Sequence, residues 1–500
     1  MLSQVMTKYG AVSGLNTATP GVAVFKGIPY AAPPVGDLRW KAPQPPQPWE
    51  GVRVCDTFAP AAMQGKRAGL DTFYGKEFPD PENLQFSEDC LYLNIWTPAK
   101  AAGEKLPVMM WIHGGGNMGG YSYEPEFDGE ALAAQGVVYV SVGFRLNVFG
   151  FMAHPELTAE SGCGSSGNYG HLDHIAAAKW LQENVEAFGG DPNNITMLGQ
   201  SGGAHDVQIM ATSPAFEGVI HKGIAQSGGG AASMMGAIPL AQGEDLGVRI
   251  MEAAGCKNIA ELRALPPEAI QAATAKLGFG LMQLGSVIDN YVVFGDTSEL
   301  LQQGKARNIP LMIGCCSHEG GRMGPPPGTK LPFEVVLGQI NRNFPLAGDK
   351  MRQVYGITDE ASQDEFNRDM MADGMIYGYH LWAKEHVAAG KDPTYVYLFD
   401  RALPDENGEP SEEGAFHSAE IWYMHGTIDR CWRKMTDIDR RLSGEMVRYW
   451  ANFARSGDPN GEGLPQWTPH TANRPNTMVL GDETGMQSLA DHPAIQVFNV

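Results

Sequence analysis

The sequence predicts an α/β protein: a large, mostly parallel central sheet flanked by helices, carrying helical insertions. Three observations lead there. Short, near-continuous apolar runs at Leu106–Ile112, Val137–Val142, Val219–Gln226 and Ile309–Cys316 have the composition of strands buried on both faces. Helix-like stretches at 129–135, 171–188 and after residue 201 lie between or beside them. Further strand candidates extend the pattern to both ends of the chain: Val22–Phe25, Leu91–Trp96 with its period of two, Asn194–Leu198, Tyr395–Phe399 and Thr477–Leu480. Strands alternating with helices close into a mostly parallel sheet covered on both faces.

The intervals 230–300 and 322–392 read as helix-rich, methionine-bearing insertions, which in such a sheet protein roof a site. No repeat, low-complexity tract or linker divides the 500 residues, so one domain spanning 1–500 is expected. Hydrophobic residues make up 43% and charged residues 19%, an ordinary globular balance that allows a large core. The formal charge of −21 is dispersed, which favours solubility and opposes nucleic-acid binding. The N-terminal residues lack the pattern of a secretory signal, and no apolar run is long enough to span a membrane. The Asn194-Ile195-Thr196 sequon lies in a strand and is discounted. Seven sparse cysteines without metal-ligand spacing read as reduced thiols, pointing to the cytoplasm.

Chemistry concentrates at Gly199-Gln200-Ser201-Gly202-Gly203. A strand leads into this G-x-S-x-G and a helix follows, the context of a nucleophile elbow. The turn exposes the serine hydroxyl and aims the Gly202 amide at a developing oxyanion; its glycines let strand and helix cross closely. A nucleophilic serine needs a base and a group that orients the base. In open α/β sheets such groups stand beyond the carboxyl ends of strands. Ile309–Cys316 runs into Ser317-His318-Glu319, which makes Glu319 the acid. His417 is the first histidine after Tyr395–Phe399 and becomes the base, completing the chain order nucleophile, acid, base. His318 precedes the acid and reads as structural or pocket-lining, while His380, His386, His425, His470 and His492 are weaker candidates. His171 and His174 form an i,i+3 pair, but no third ligand converges on them in the sequence, so neither a metal nor a cofactor is expected.

The strand Leu106–Ile112 runs into His113-Gly114-Gly115-Gly116-Asn117. The amides of Gly115 and Gly116 join that of Gly202 as an oxyanion hole, where losing one donor costs about 2.7–4 kcal/mol of transition-state stabilisation. The same glycines fit G-x-G-x-x-G, but Tyr121–Pro125 interrupts any immediate helix and no acid ends the next strand. A dinucleotide site is therefore rejected.

With these residues in place, the chain resembles the type-B carboxylesterases, the family of bacterial p-nitrobenzyl esterases, liver carboxylesterases and cholinesterases. The resemblance runs nearly end to end: Phe25–Ala31, Glu88–Asn94, His113–Gly116, Phe144–Leu146, Gly167–Asp173, and Phe188–Pro192 leading to Ser201. It implies an α/β-hydrolase fold and a serine ester hydrolase with Ser201, His417 and Glu319 as its triad. It also implies that Ser227 and Gln200 support the site from behind, and that Arg39 with Glu88 and Arg145 with Asp173 are structural ion pairs. The implied substrate is a small to medium, neutral ester. Amide or carbamate hydrolysis with the same triad stays open, as does a non-catalytic binding homologue, although all three triad residues are present. The expected partner is a small-molecule ester, with no nucleic acid or membrane, on a monomer or weak homo-oligomer.

Three departures from the family pattern stand out. Cys90 faces Ala62, and Cys256 faces Glu261, where the family's disulfides would close. Gln200 replaces the glutamate often found before the serine, which argues against recognition of cationic alcohols. Gly202-Gly203 replaces the commoner Ala-Gly and is expected to loosen the elbow.

Overall fold

The computed structural model describes the chain except residues 1, 68, 234, 279–283, 321–330, 344–346, 355–362, 472–474 and 498–500. The described residues form two compact units, one of residues 1–221 and 235–296, the other of residues 222–234 and 297–500.

In the first unit the sheet strands are β1 (Leu15–Asn16), β2 (Ala23–Pro29), β3 (Tyr92–Thr97), β4 (Leu106–Ile112), β5 (Val138–Val142) and β6 (Gly190–Gln200), in spatial order β6-β4-β5-β3-β2-β1. β4 pairs in parallel with β5 on one side and with β6 on the other. The residues that make β4 a strand, Val108 through Ile112, are completely buried, as a strand covered on both faces must be. β5–β3, β3–β2 and β2–β1 are antiparallel. This part of the sheet is therefore mixed, parallel across β6-β4-β5 and antiparallel from β5 outward to β1.

Helix α1 (Tyr169–Asn184) leads through a 3₁₀ turn at Val185–Phe188 to Gly189, whose φ of 82° ends the turn and opens β6. Helix α2 (Gly202–Thr212) is buried from Gly202 to Ala211. Helix α3 (Leu240–Ala253) and two shorter helices occupy much of the first predicted insertion. Phe279–Met282, the stretch of that insertion with the least legible role, lies outside the described residues.

The second unit holds β7 (Lys222–Gln226), β8 (Leu311–Cys316), β9 (Thr394–Phe399), β10 (Asn476–Leu480) and β11 (Gly485–Ser488). β7 to β10 are successive parallel neighbours, and β11 closes the edge as an antiparallel hairpin with β10. Helix α4 (Gln363–Ala388) fills much of the second predicted insertion, and α5 (Glu420–Met424) follows the base loop. The sequence reading did not single out α6 (Asp437–Ser456), although its start signal is local. Thr436 and Asp439 form a reciprocal capping box, and Gly457 with φ 79° ends the helix. Asp439 also takes Arg401 Nε at 2.7 Å and the Tyr423 hydroxyl at 2.7 Å. Among the described residues no helix is long and apolar enough to cross a membrane.

Both ion pairs implied by resemblance form inside the first unit. Arg39 grips Glu88 through two nitrogens and donates to the carbonyls of Arg263 and Leu265 at 2.8 Å. Arg145 is bidentate to Asp173, with Nε at 2.9 Å and Nη2 at 2.7 Å, and its backbone amide donates to the same carboxylate at 3.0 Å. Neither residue of this second pair is more than 2% exposed. Removing one partner strands the other's charge, so Arg145→Met is expected to cost about 3–5 kcal/mol. Arg145→Met with Asp173→Leu should lose less than the single variant, read as shifts of the denaturation midpoint.

Candidate active site

The elbow is set by close backbone packing. Ser201 sits at φ 55° and ψ −119°, a conformation that side-chain-bearing residues avoid and that persists only where its surroundings impose it. A Cβ on Gly203 would lie 2.1 Å from the Ile112 carbonyl oxygen, and one on Gly199 would lie 2.5 Å from the Gly203 carbonyl. Bare backbone at both places lets β6 and α2 cross against the end of β4.

That end of β4 carries the glycine loop. Gly115, Gly116 and Asn117 have φ of 105°, 62° and 61°, so the chain turns through left-handed conformations that suit glycine and asparagine. The Gly115 carbonyl accepts from the Met118 amide at 3.0 Å. A Cβ on Gly202 would approach the Gly116 nitrogen to 2.7 Å, and one on Gly114 would come within 3.2 Å of Ser201 Cβ. The three amides named from the sequence, of Gly115, Gly116 and Gly202, therefore belong to backbone segments in contact. The Gly202 position is tighter than the expected loosening: it admits no Cβ unless the glycine loop moves. Gln200 is buried, and its Oε1 lies 2.9 Å from where a Gly114 Cβ would be.

Glu319 and His417 are brought together in the second unit. Both loops are pinned by a bridge between His318 and Phe416, with the His318 amide donating to the Ala415 carbonyl at 3.0 Å. His417 Nδ1 and Glu319 Oε2 form a short hydrogen bond, while Glu319 Oε1 accepts from the Cys316 amide at 2.7 Å. With Nδ1 engaged, Nε2 is the nitrogen that could act as a base. Glu319 is completely buried and His417 nearly so. Burial alone would lower the imidazole, but the Glu319 charge, its hydrogen bond and the charge of Glu420 outweigh it and hold His417 above its ordinary value. His318 bonds Ser317 Oγ through Nδ1 at 2.9 Å and packs where a Gly414 side chain would be, a structural role. His425 is fully buried with Nδ1 against the Ile421 carbonyl, and burial pushes it down to about 3.

The Ser227 hydroxyl donates to Glu420 Oε1 at 3.2 Å, and Cys316 Sγ donates to Glu420 Oε2 at 2.9 Å. Glu420 is therefore a site residue that the sequence reading missed; its signal is the position three residues after His417, opening α5. Burial first, and then the neighbouring Glu319 charge, raise its pKa. The structure also supplies what the His171–His174 pair lacked in sequence, since Asp206 of α2 converges on both.

The seven cysteines are free thiols, and Ala62 and Cys90 line one small cavity, as their facing positions in the sequence suggested.

A strained serine at a strand-to-helix turn, a glycine loop packed against it and a paired histidine and carboxylate define the serine-hydrolase class. The carboxylesterase family model matches residues 2–497, and the chain belongs to that family. It is 32% identical over 495 residues to fumonisin B1 esterase of Sphingopyxis macrogoltabida, covering 96% of this chain and 86% of that one. Against liver carboxylesterase 1 of Oryctolagus cuniculus the identity is 32%, covering 97% and 91%. Among solved structures, a PNB esterase superposes with TM-score 0.84 at 27% identity, covering 99% of each chain. A Geobacillus stearothermophilus carboxylesterase gives 0.81 at 31% identity, covering 99% of this chain and 100% of that one. The fold is the α/β-hydrolase fold, a large mixed sheet flanked by helices, and the protein is a carboxylic-ester hydrolase.

Two outcomes follow from this packing. Gly203→Ala should destabilise by about 1–3 kcal/mol through overpacking and lower kcat in whatever protein folds. A base that must be neutral, held above about 6.5, makes kcat/KM fall as pH drops through that raised value. Glu319→Gln should move this acid limb to lower pH, and Glu420→Gln should move it in the same direction by less.

Proposed function

We propose that the protein hydrolyses small to medium, neutral carboxylic esters by two-step acyl transfer, with Ser201 as nucleophile, His417 as base and Glu319 as the acid that orients it. The observation that carries this reading is the forced backbone of Ser201, because strain of that kind is retained where an exposed nucleophile is needed. His417 takes the hydroxyl proton as Ser201 attacks the ester carbonyl. The tetrahedral oxyanion is held by the amides of Gly115, Gly116 and Gly202. His417 returns the proton to the leaving alcohol, and water then releases the acid by the same route. Glu319 keeps Nδ1 protonated and stabilises the imidazolium throughout. Gln200 puts no charge beside the nucleophile, which supports neutral over cationic alcohols. The seven free thiols support a reducing, cytoplasmic setting. We assign all 500 residues to one catalytic domain acting as a monomer or weak homo-oligomer.

Hydrolysis of p-nitrophenyl butyrate tests the roles. Ser201→Ala and His417→Ala should each lower kcat by at least about 10⁴-fold, whereas His425→Gln should keep most of the activity. Equal rates for wild type and Ser201→Ala would overturn the nucleophile, and a loss in His425→Gln matching that in His417→Ala would overturn the base. Running the matching p-nitroanilide in parallel separates esterase from amidase action.

A further inference from the structure

Within the first unit, α1 and α2 enclose a second polar cluster that ester hydrolysis does not use. His171 and His174 stand one turn apart on α1, and Asp206 faces them from α2. His171 Nδ1 lies 3.5 Å from Asp206 Oδ1, and His174 Nε2 lies 3.9 Å from Asp206 Oδ2. One ligand atom from each of the three residues falls within 4.8 Å of the other two. All three residues are 1% exposed or less. Yet His171 Nδ1, both ring nitrogens of His174 and Asp206 Oδ2 make no hydrogen bond. A buried polar atom left in that state costs about 1–3 kcal/mol, so four at one point require an explanation.

The atoms that do have partners are bonded as metal ligands are. His171 Nε2 meets Ser286 Oγ at 2.8 Å, so with the proton on Nε2 the lone pair of Nδ1 is turned toward Asp206. Asp206 Oδ1 accepts from Asn117 Nδ2 at 2.9 Å. Fixing a ligand through its other polar atom is the usual way proteins orient imidazole and carboxylate toward an ion.

We propose that His171, His174 and Asp206 form a buried site for one divalent transition-metal ion of the zinc type. Two imidazole nitrogens and one carboxylate oxygen suit Zn²⁺ and its first-row neighbours, while Ca²⁺ and Mg²⁺ select oxygen ligands. Tetrahedral ligands at zinc distances stand about 3.4 Å apart. His171 Nδ1 lies at 3.5 Å from one carboxylate oxygen and His174 Nε2 at 3.9 Å from the other, and the three ligand atoms, now within 4.8 Å of one another, draw in around the ion. Enclosed as it is, the ion is taken up as the chain folds, and its role is to brace. It ties α1 to the helix that begins at Ser201, and through Asn117 to the glycine loop. The site is separate from the triad, and its occupancy does not depend on the esterase assignment.

Zinc content, measured by elemental mass spectrometry on protein expressed in zinc-supplemented medium and dialysed against chelator, tests the proposal. About one ion per wild-type chain is expected, against less than about a tenth in His174→Gln and in Asp206→Asn. Wild-type protein unfolded with chelator and refolded with Zn²⁺ should melt at a higher temperature than the same protein refolded with chelator. Refolding with Co²⁺ should give the visible d–d bands of a nitrogen–oxygen site. Wild type that holds under about a tenth of an ion after folding in excess zinc, or variants that hold as much as wild type, would overturn the proposal. The wild-type refolding comparison decides the matter even where a variant fails to fold.

Discussion

The contact between Gly203 and the Ile112 carbonyl is the constraint on which the site depends. With 2.1 Å available where a Cβ would be, neither strand nor helix can withdraw without unmaking the other. The packing forces Ser201 to φ 55°, starts α2 at the serine and presses the glycine loop against Gly202. A hydrogen bond could be replaced by another of similar strength. A backbone crossing of this kind has no substitute, because a side chain at Gly202 or Gly203 moves Ser201 relative to the glycine loop.

Electrostatics forms the second layer, built from buried carboxylates whose partners differ. Glu319 is answered by His417 and the Cys316 amide, Asp173 by a bidentate guanidinium, and Asp439 by Arg401 together with a helix N-terminus. Glu420 accepts from Ser227 and a thiol, while burial and the neighbouring Glu319 charge raise its pKa. Each carboxylate is thus held by a different set of donors, and the differences follow from which groups the fold brings against it.

The parts of this architecture legible in the sequence are those whose signal is local. Leu106–Ile112 is apolar because it is covered on both faces, and G-x-S-x-G is glycine-rich because the crossing admits nothing else. Glu319 and His417 were reachable as a pair because strand ends present reactive groups in a set chain order. The unreadable parts are long-range. Asp206 meets His171 and His174 from a different helix, and Ser227 meets Glu420 across 193 positions. No periodicity encodes either encounter. The direction of the early strands was illegible for the same reason, since apolar alternation specifies a strand but not the direction of its neighbour. Helix α6 was a different failure: its capping box was local and went unread.

The bridge between His318 and Phe416 has a consequence for how this protein can change. Glu319 and His417 are separated by 98 positions, with β9 a buried sheet strand between them, yet their two loops are stitched together at one point. Lengthening a loop whose ends are already joined adds little entropic penalty. Sequence drift, insertion or deletion in the segment ahead of β9 is therefore insulated from the Glu319–His417 pair by that stitch. Reaction and selectivity are thus free to evolve at different rates within one continuous chain.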